Sequence, residues 1–383
     1  MDWHTNLRLP LPGSDDRRWR LGVNDDGTIV ALEPLPMGSC GAGIDWGGDW
    51  LSPAGVDLQI NGGLGLPFPD LEPAQLPQLL ALLDHLWADG VEAICPTLVT
   101  CAVEPLRQAL AVLDEARHLH RPGRCRLLGA HLEGPFLAPE RRGAHPIEHL
   151  AAPTAAALDA RIGGFEDGIA LVTLAPELPG AEAVIQALHA RGVVVSLGHS
   201  TADETAARGA YDRGVTMLTH AFNAMPGLHH RAPGPVGAAL DRPEVSLGLI
   251  ADGVHVAPTM AVLLQRLMPQ QVVLVSDALA PYGLPPGEYP WDRRTIRVEN
   301  GSCRLPDGTL AGTTLGLLDG VVRLADWTGD DGAAIRAATV LPRRVLGDPR
   351  SSVELLIGLP LVETLRWHRP ADGPLGWCRM VAP

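Results

Sequence analysis

Eight short apolar segments, each followed by a polar residue and most by a longer helix-like stretch, constrain the fold of this chain more than any other feature. They occupy residues 55–60, 91–95, 126–130, 169–174, 193–197, 215–218, 245–250 and 272–275. Strands that alternate with helices form parallel sheets, because each helical crossover returns the chain to the same end of the sheet. Eight such units predict an α/β protein built on a closed (β/α)8 TIM-type barrel.

An open, doubly wound sheet is the alternative arrangement for the same alternation. Such sheets normally carry the phosphate-binding pattern GxGxxG directly after the first strand. Here the first predicted strand runs into QINGGLG at residues 59–65, which lacks that pattern. The barrel is therefore the preferred prediction.

The ends of the chain predict a second, smaller domain. The 383 residues exceed the roughly 250 residues of a typical barrel. Both ends contain short strand-like segments interrupted by glycine and proline, among them residues 353–357 and 361–367. We therefore predict a small β-sandwich domain from residues 1–52 and 348–383, and a barrel domain from residues 53–347.

Charge and cysteine usage limit the possible partners and location. The formal net charge of −14 comes without a basic stripe, which argues against a nucleic-acid partner. The sequence shows neither a leader pattern at its start nor an apolar segment of bilayer length, so we expect no membrane association and a cytoplasmic location. Six cysteines without a CxxC pair are expected to be reduced and mostly buried: Cys40, Cys95, Cys101, Cys125, Cys303 and Cys378.

Polar residues stand at the ends of four predicted strands. Glu133 follows the third strand, His199 the fifth, His220 the sixth and Asp277 the eighth. The carboxyl ends of barrel strands meet at one rim, where active sites form. One glutamate and two histidines are a complete protein ligand set for one catalytic zinc or ferrous ion. The alternatives are structural histidines and, for Asp277, a helix cap.

This ligand set predicts hydrolysis of an amide. With one carboxylate and two neutral imidazoles the ion keeps about one positive charge, which lowers the pKa of a bound water toward 7. We expect the metal-bound water to attack the amide carbonyl. Asp277 would act first as general base and then as general acid toward the leaving amine.

Other polar residues are expected near the same rim. His131 lies two residues before Glu133 and points the same way along a strand, so it is either a donor behind the ligands or a buried structural residue. Asp252 and His255 follow the seventh strand. Arg231, in the loop after the sixth strand, is the strongest nearby candidate for holding an anion, since a guanidinium pairs bidentately with phosphate or carboxylate.

Seven motifs, taken together, resemble a known family. They are GVDLQING at 55–62, HLEGPF at 131–136, GHS at 198–200, THAFNAM at 219–225, ADGVH at 251–255, VSDA at 275–278 and LAG at 310–312. The set resembles the N-acetylglucosamine-6-phosphate deacetylases of the amidohydrolase superfamily. The resemblance implies a barrel with a small β-sandwich, a homodimer, Glu133, His199 and His220 as metal ligands, and Asp277 as catalytic acid and base.

The resemblance also bears on the number of metal ions. Many members of the superfamily carry an HxH pair after the first strand for a second ion. This chain has Gln59 and Asn61 there. One ion per subunit is therefore expected, with the two amides lying behind the ligands.

The substrate contacts implied by the resemblance come from several loops. His145 would polarise the acetyl carbonyl, and His255 and Arg231 would bind the phosphate, with Arg231 reaching the neighbouring subunit's site. The family usually has Arg-Glu-Pro-Gly where this chain has Arg-Ala-Pro-Gly at residues 231–234. The other expected contacts are Ala144, Asn223, Ala224, Asp252, Leu310, Ala311 and Gly312.

The expected reaction is the removal of acetate from N-acetylglucosamine 6-phosphate, giving glucosamine 6-phosphate. A relative acting on another N-acyl amino sugar or on a cyclic amide is one alternative. A non-catalytic protein that binds sugar phosphates is another. Retention of the metal ligands and of Asp277 argues against the latter.

Overall fold

Eight parallel strands form the centre of the computed structural model, which describes residues 1–13, 17–39 and 41–380. They are Gly55–Ile60, Val91–Val99, Ala130–Glu133, Ile169–Leu174, Val194–Leu197, Val215–Leu218, Ser246–Leu249 and Val272–Leu274. Each strand pairs in parallel with the next. Where the eighth strand meets the first, the Asp277 N–H donates to the Gln59 carbonyl at 2.8 Å and the Asn61 N–H to the Ala278 carbonyl at 2.7 Å. The predicted barrel fold is confirmed.

Helices connect the strands around the outside of the barrel. Their buried residues recur every three or four positions, as in Val103–His118, because that spacing places apolar side chains on one face. The helices between successive strands and after the eighth are Leu76–Ala88, Val103–His118, Ala155–Ile162, Ala181–His189, Glu204–Asp212, Gly234–Ala238, Pro258–Leu267, Leu317–Thr328, Asp331–Thr339 and Leu341–Val345.

The third barrel strand differs from the prediction. Residues 126–130 were expected to form it, but Arg126–Leu127 is a short separate strand beside the second barrel strand, and the third barrel strand is Ala130–Glu133. Gly129 lies between them with φ 120°, a conformation available mainly to glycine, and redirects the chain. Glu133 is consequently the last residue of the strand and does not follow it.

Two sheets built from the chain ends lie beside the barrel. One has the strand order Ile29–Pro34, Trp19–Val23, Asp2–Leu7 and Ile44–Asp45. The other joins Trp50–Pro53 antiparallel to Thr364–His368, which pairs with Gly376–Arg379. A buried cluster that includes Trp19, Trp46, Leu51 and Leu356 draws on both termini. A small sheet domain from both chain ends is confirmed, while the exact domain boundaries stay a prediction.

The predicted strand at residues 353–357 is wrong, because Ser352–Leu356 is a helix. The Ser351 side chain accepts a hydrogen bond from the Glu354 N–H, and the Glu354 carboxylate accepts one from the Ser351 N–H at 2.7 Å. This reciprocal pair is a capping box, which starts helices. The segment 361–367 begins with one 3-10 turn, Leu361–Glu363, before the strand Thr364–His368.

A four-stranded antiparallel sheet follows the eighth barrel strand. It consists of Gly287–Trp291, Arg294–Glu299, Ser302–Arg304 and Leu310–Thr313. Its apolar side chains pack with Ala144 and Leu279, which lie at the carboxyl rim of the barrel. The first hairpin of this sheet, residues 287–299, therefore lies against the rim, and is called the rim hairpin below.

Cysteines and helix lengths bear on the remaining predictions. The five cysteines in the described ranges are free, with Cys95, Cys125 and Cys303 buried, Cys101 partly buried and Cys378 exposed. Cys40 lies outside the described residues. Among the described residues no helix combines the length and the apolar character needed to cross a bilayer. The cytoplasmic location stays a prediction.

Candidate active site

Three side chains from different strands converge at the carboxyl rim. Glu133 Oε1 lies 3.3 Å from His199 Nε2 and 3.0 Å from His220 Nε2, and the two imidazole nitrogens are 3.0 Å apart. All three side chains are buried. The sequence placed these residues at strand ends, and the barrel brings them to one point.

The triangle of donor atoms fits a divalent cation. Tetrahedral zinc with bonds of about 2.0–2.1 Å holds its ligand atoms roughly 3.3 Å apart. His199 Nδ1 donates to the Arg141 carbonyl at 2.8 Å, which leaves a lone pair on the Nε2 of the neutral ring. A proton on His220 Nε2 could serve Glu133 or His199, whereas a cation would bind all three donor atoms at once. The donor set therefore suits zinc or ferrous iron.

Two amides connect the glutamate to Asp277. Gln59 Nε2 donates to Glu133 Oε1 at 3.0 Å and to Asp277 Oδ1 at 3.2 Å, and Asn61 Nδ2 donates to the same Asp277 oxygen at 2.8 Å. Burial, followed by the negative charge of Glu133, raises the pKa of Asp277 to about 8. A cation at the triangle would lower this pKa. Asp277 is thus a buried carboxyl whose pKa is raised by its surroundings and would fall when a cation binds.

His145 lies beside the triangle on the loop after the third strand. Its Nε2 is 3.7 Å from Glu133 Oε2, and its ring meets that of His199 edge-on at a centroid distance of 4.4 Å. Its Nδ1 lies 3.0 Å from the Thr100 hydroxyl and 3.4 Å from the Thr100 backbone nitrogen. Burial lowers the pKa of His145 to about 3. The side chain places a neutral imidazole next to the candidate metal site.

The same loop offers a further arrangement of ligand atoms. Glu133, His145 and His199 each provide one atom within 4.8 Å of the others. His145 is therefore near enough to supplement the three predicted ligands. Its 3.7 Å separation from the carboxylate is longer than the 3.0–3.3 Å separations of the Glu133, His199 and His220 donor atoms.

His131 takes no direct part in this cluster. Its Nδ1 lies 3.1 Å from the Thr97 hydroxyl and its Nε2 lies 2.8 Å from the Thr173 hydroxyl, inside the barrel. Burial lowers its pKa to about 4, so the ring is neutral at neutral pH. Of the two interpretations offered by the sequence, the contacts match the buried structural one.

A cavity of about 770 Å³ opens above the triangle. It is lined by seven of the predicted substrate contacts: Ala144, His145, Asn223, Ala224, His255, Leu310 and Ala311. Arg231 is exposed and is absent from the lining. Gly312 lies behind the wall, where an added Cβ would come within 2.7 Å of the Asp277 carbonyl oxygen. The cavity is large enough for a sugar phosphate.

Asp252 orients His255 and does not itself line the cavity. Its Oδ2 accepts from His255 Nδ1 at 2.7 Å, and its Oδ1 accepts from the N–H groups of Val254 and His255 at 2.8 Å each. His255 Nε2 is the ring nitrogen left for a ligand.

Sequence reasoning missed several residues around the cavity. Thr100 contacts His145, the Arg141 carbonyl orients His199, and Arg142, Arg293 and the rim-hairpin residue Arg294 line the cavity. Their positions follow from loops that fold back over the rim. The only signal in the sequence was the clustering of arginines in the pairs 141–142 and 293–294.

The backbone at three site residues is left-handed. His199 has φ 49°, His220 has φ 29° and Asp277 has φ 47°. Non-glycine residues adopt such values rarely, and when they do they cluster at functional sites. The turn at each strand end is what aims the side chain back over the barrel axis.

Known proteins resemble the chain over most of its length, although no protein-family model matches it. N-acetylgalactosamine-6-phosphate deacetylase of Escherichia coli O157:H7 is 36% identical over 334 residues, 87% of this chain and 86% of the relative. N-acetylglucosamine-6-phosphate deacetylase of Bos taurus is 37% identical over 314 residues, which cover 79% of this chain and 76% of the relative. A solved structure of a mutant Mycobacterium smegmatis N-acetyl-D-glucosamine-6-phosphate deacetylase, in complex with N-acetyl-D-glucosamine-6-phosphate, has a TM-score of 0.80 at 27% identity, covering 95% of this chain and 94% of that one. The chain belongs to the N-acetylglucosamine-6-phosphate deacetylase family of the amidohydrolase superfamily.

Proposed function

We propose that this chain hydrolyses the acetamide of N-acetylglucosamine 6-phosphate to glucosamine 6-phosphate and acetate, using one divalent ion per subunit. The observation that carries the proposal is the triangle of Glu133, His199 and His220, with donor atoms 3.0–3.3 Å apart at the floor of the cavity. Asp277 lies beside that triangle, joined to Glu133 through the Gln59 amide. Family membership supplies the substrate class.

Each side chain has a separate task in the proposed reaction. When bound, a divalent ion supplies Lewis-acid polarisation and acidifies water. Asp277 takes a proton from the attacking water and returns it to the amine nitrogen. The amine is a very poor leaving group unless its nitrogen is protonated. His145 donates its Nε2 proton toward the acetyl oxygen as negative charge develops there.

The proposed phosphate contacts are residues that line the cavity. His255, held by Asp252, offers Nε2. The guanidinium groups of Arg142 and Arg293 also line the cavity. On a chain with a net charge of −14, these local cations would attract an anionic sugar against the overall field.

The hexosamine epimer is the main alternative for the substrate. The Escherichia coli relative is named for N-acetylgalactosamine 6-phosphate, which differs from the glucosamine compound only at the C4 hydroxyl. Steady-state kinetics on both epimers, with and without phosphate, would rank them. A substrate without phosphate that reacts as well as the phosphorylated one would favour a different N-acyl amino sugar.

Acetate release by wild type and Asp277→Asn tests the function directly. We expect the variant to lose about 10²–10⁴-fold in kcat, because the general acid and base is removed, while its bound metal stays at the wild-type level. Asp326→Asn, at a surface ion pair with Arg369, is the matched control. Equal rates for Asp277→Asn and wild type, or full activity after chelation, would contradict the proposal.

We also propose that the chain forms a homodimer in which Arg231 serves the neighbouring site. The support is that Arg231 is exposed and is absent from the lining of its own cavity. Mixing Arg231→Ala chains with Asp277→Asn chains would then restore activity, because each mixed dimer has one site with both residues intact. No recovery, despite mixed dimers shown by mass, would contradict the shared site.

A further inference from the structure

The loop of residues 138–145 contacts His199 at three points. The Ala138 N–H donates to the His199 carbonyl at 2.9 Å, and the Arg141 carbonyl accepts from His199 Nδ1 at 2.8 Å. The ring of His145, near the end of the loop, meets the ring of His199 edge-on. The position of this loop therefore fixes the tautomer and orientation of one candidate metal ligand and carries the candidate carbonyl donor.

One side chain from the rim hairpin holds the far end of this loop. Arg294 Nη2 donates to the Ala144 carbonyl at 2.8 Å. Ala144 immediately precedes His145, and it is buried in the same apolar cluster as Trp291 of the hairpin. The two segments are 150 positions apart in the chain, so this contact is a tertiary one.

The guanidinium of Arg294 is itself fixed in place. Asp292 accepts a hydrogen bond from Arg294 Nε at 3.0 Å. The Cζ atom of Arg294 lies 4.7 Å from the centre of the Trp291 ring. A planar guanidinium held by a carboxylate and an aromatic face loses little further freedom when it makes another hydrogen bond. Its side chain is one-third exposed, at 33%, so burial alone does not explain the arrangement.

We propose that Arg294 is a positioning residue, which holds the Ala144 carbonyl and through it sets His145 and the loop around His199. The part that concerns His145 rests on the proposed function. The part that concerns His199 does not, because it predicts a change in metal affinity that is measured without substrate. Groups that orient a metal ligand from behind typically change affinity or activity by about 10–100-fold when removed.

Metal affinity, kinetics and hydrogen exchange of Arg294→Met test the inference. We expect zinc affinity, measured by competition with a chromophoric chelator, to fall about 10–100-fold. The value of kcat should fall by a similar factor with a smaller change in KM, since His145 acts on the transition state. Backbone exchange should speed up over residues 139–146. Arg294→Lys should restore part of each effect through a single donated hydrogen bond.

Arg297→Met is the matched control. Arg297 lies on the same strand, is 68% exposed and faces Glu299 at 3.7 Å, so its loss should leave every readout within about two-fold. Zinc affinity and kcat within two-fold of wild type in Arg294→Met would overturn the inference, as would equal losses in Arg297→Met. If Arg294→Met does not fold, Arg294→Lys with wild-type zinc affinity, kcat and loop exchange would overturn it too. Zinc loss in Arg294→Met without deacetylation by wild type would reject the proposed function and retain this inference.

Discussion

Two layers of buried histidine lie in the same barrel and differ in how their nitrogens are satisfied. In the interior, both nitrogens of His131 lie at hydrogen-bond distance from threonine hydroxyls, those of Thr97 and Thr173. Thr173 continues the network to Thr219 at 2.7 Å. This layer is complete without any ligand.

Within residues 1–13, 17–39 and 41–380, no hydroxyl partners the facing Nε2 atoms of His199 and His220 in the rim layer. His199 and His220 direct Nε2 atoms at each other and at Glu133. The Nδ1 of His220 is buried and has no hydrogen-bond partner in the described part of the chain. The comparison teaches that a buried imidazole stabilises the fold where hydroxyl groups partner both of its nitrogens. It indicates a ligand site where two imidazole nitrogens and a carboxylate converge on one point.

Replacing a rim histidine should have the largest effect. His199→Asn should reduce zinc affinity by more than the roughly 100-fold that marks the loss of an outer partner, because it removes a ligand atom itself. Metal content after dialysis and chelator competition measure this. Wild-type metal content in the variant would contradict the conclusion that the rim histidines bind metal while the interior histidine is structural.

Gln59→Leu should have the next largest effect. The substitution removes the donor shared by Glu133 and Asp277, so we expect kcat to fall about 10–100-fold. The control is Gln108→Leu, at an exposed position on the helix Val103–His118. If the Gln59→Leu enzyme is as active as that control, the Gln59 amide does not contribute to catalysis.

His131→Leu should reduce stability and leave the metal site nearly intact. The change leaves the hydroxyls of Thr97 and Thr173 without this partner, so we expect the free energy of unfolding to fall by about 1–3 kcal/mol. Zinc affinity should stay within about two-fold of wild type. A loss of zinc affinity comparable with that of His199→Asn would show that His131 also supports metal binding, which contradicts the distinction between the two layers.

Ser351→Ala should have the smallest effect, outside both layers. It removes the cap of the helix Ser352–Leu356 in the terminal domain, and we expect a loss of about 1 kcal/mol in unfolding free energy. Denaturant melts measure the loss, and acetate release should be unchanged. A change in kcat would show that the terminal domain acts on the rim.

Local patterns in the sequence were enough to predict the barrel and its rim. Apolar β-branched runs marked most strands, and polar residues at the carboxyl ends identified Glu133, His199, His220 and Asp277. The helix at 352–356 was missed because residues 353–357 were interpreted as a strand, although Ser351 and Glu354 form a capping box. Contacts such as Thr100 with His145 and Arg294 with Ala144 join residues 45 and 150 positions apart, and no local pattern encodes them.

The left-handed backbone at His199, His220 and Asp277 affects how the results of substitutions at these positions are interpreted. The wild-type histidines and aspartate already carry the Cβ that crowds the following carbonyl, so a steric penalty of roughly 1–2 kcal/mol is present before any substitution. Asparagine and aspartate visit this region most readily among residues with a side chain. Substitution by glycine would relieve that penalty and so hide part of the cost of the lost functional group, whereas substitution by asparagine would keep the left-handed conformation accessible.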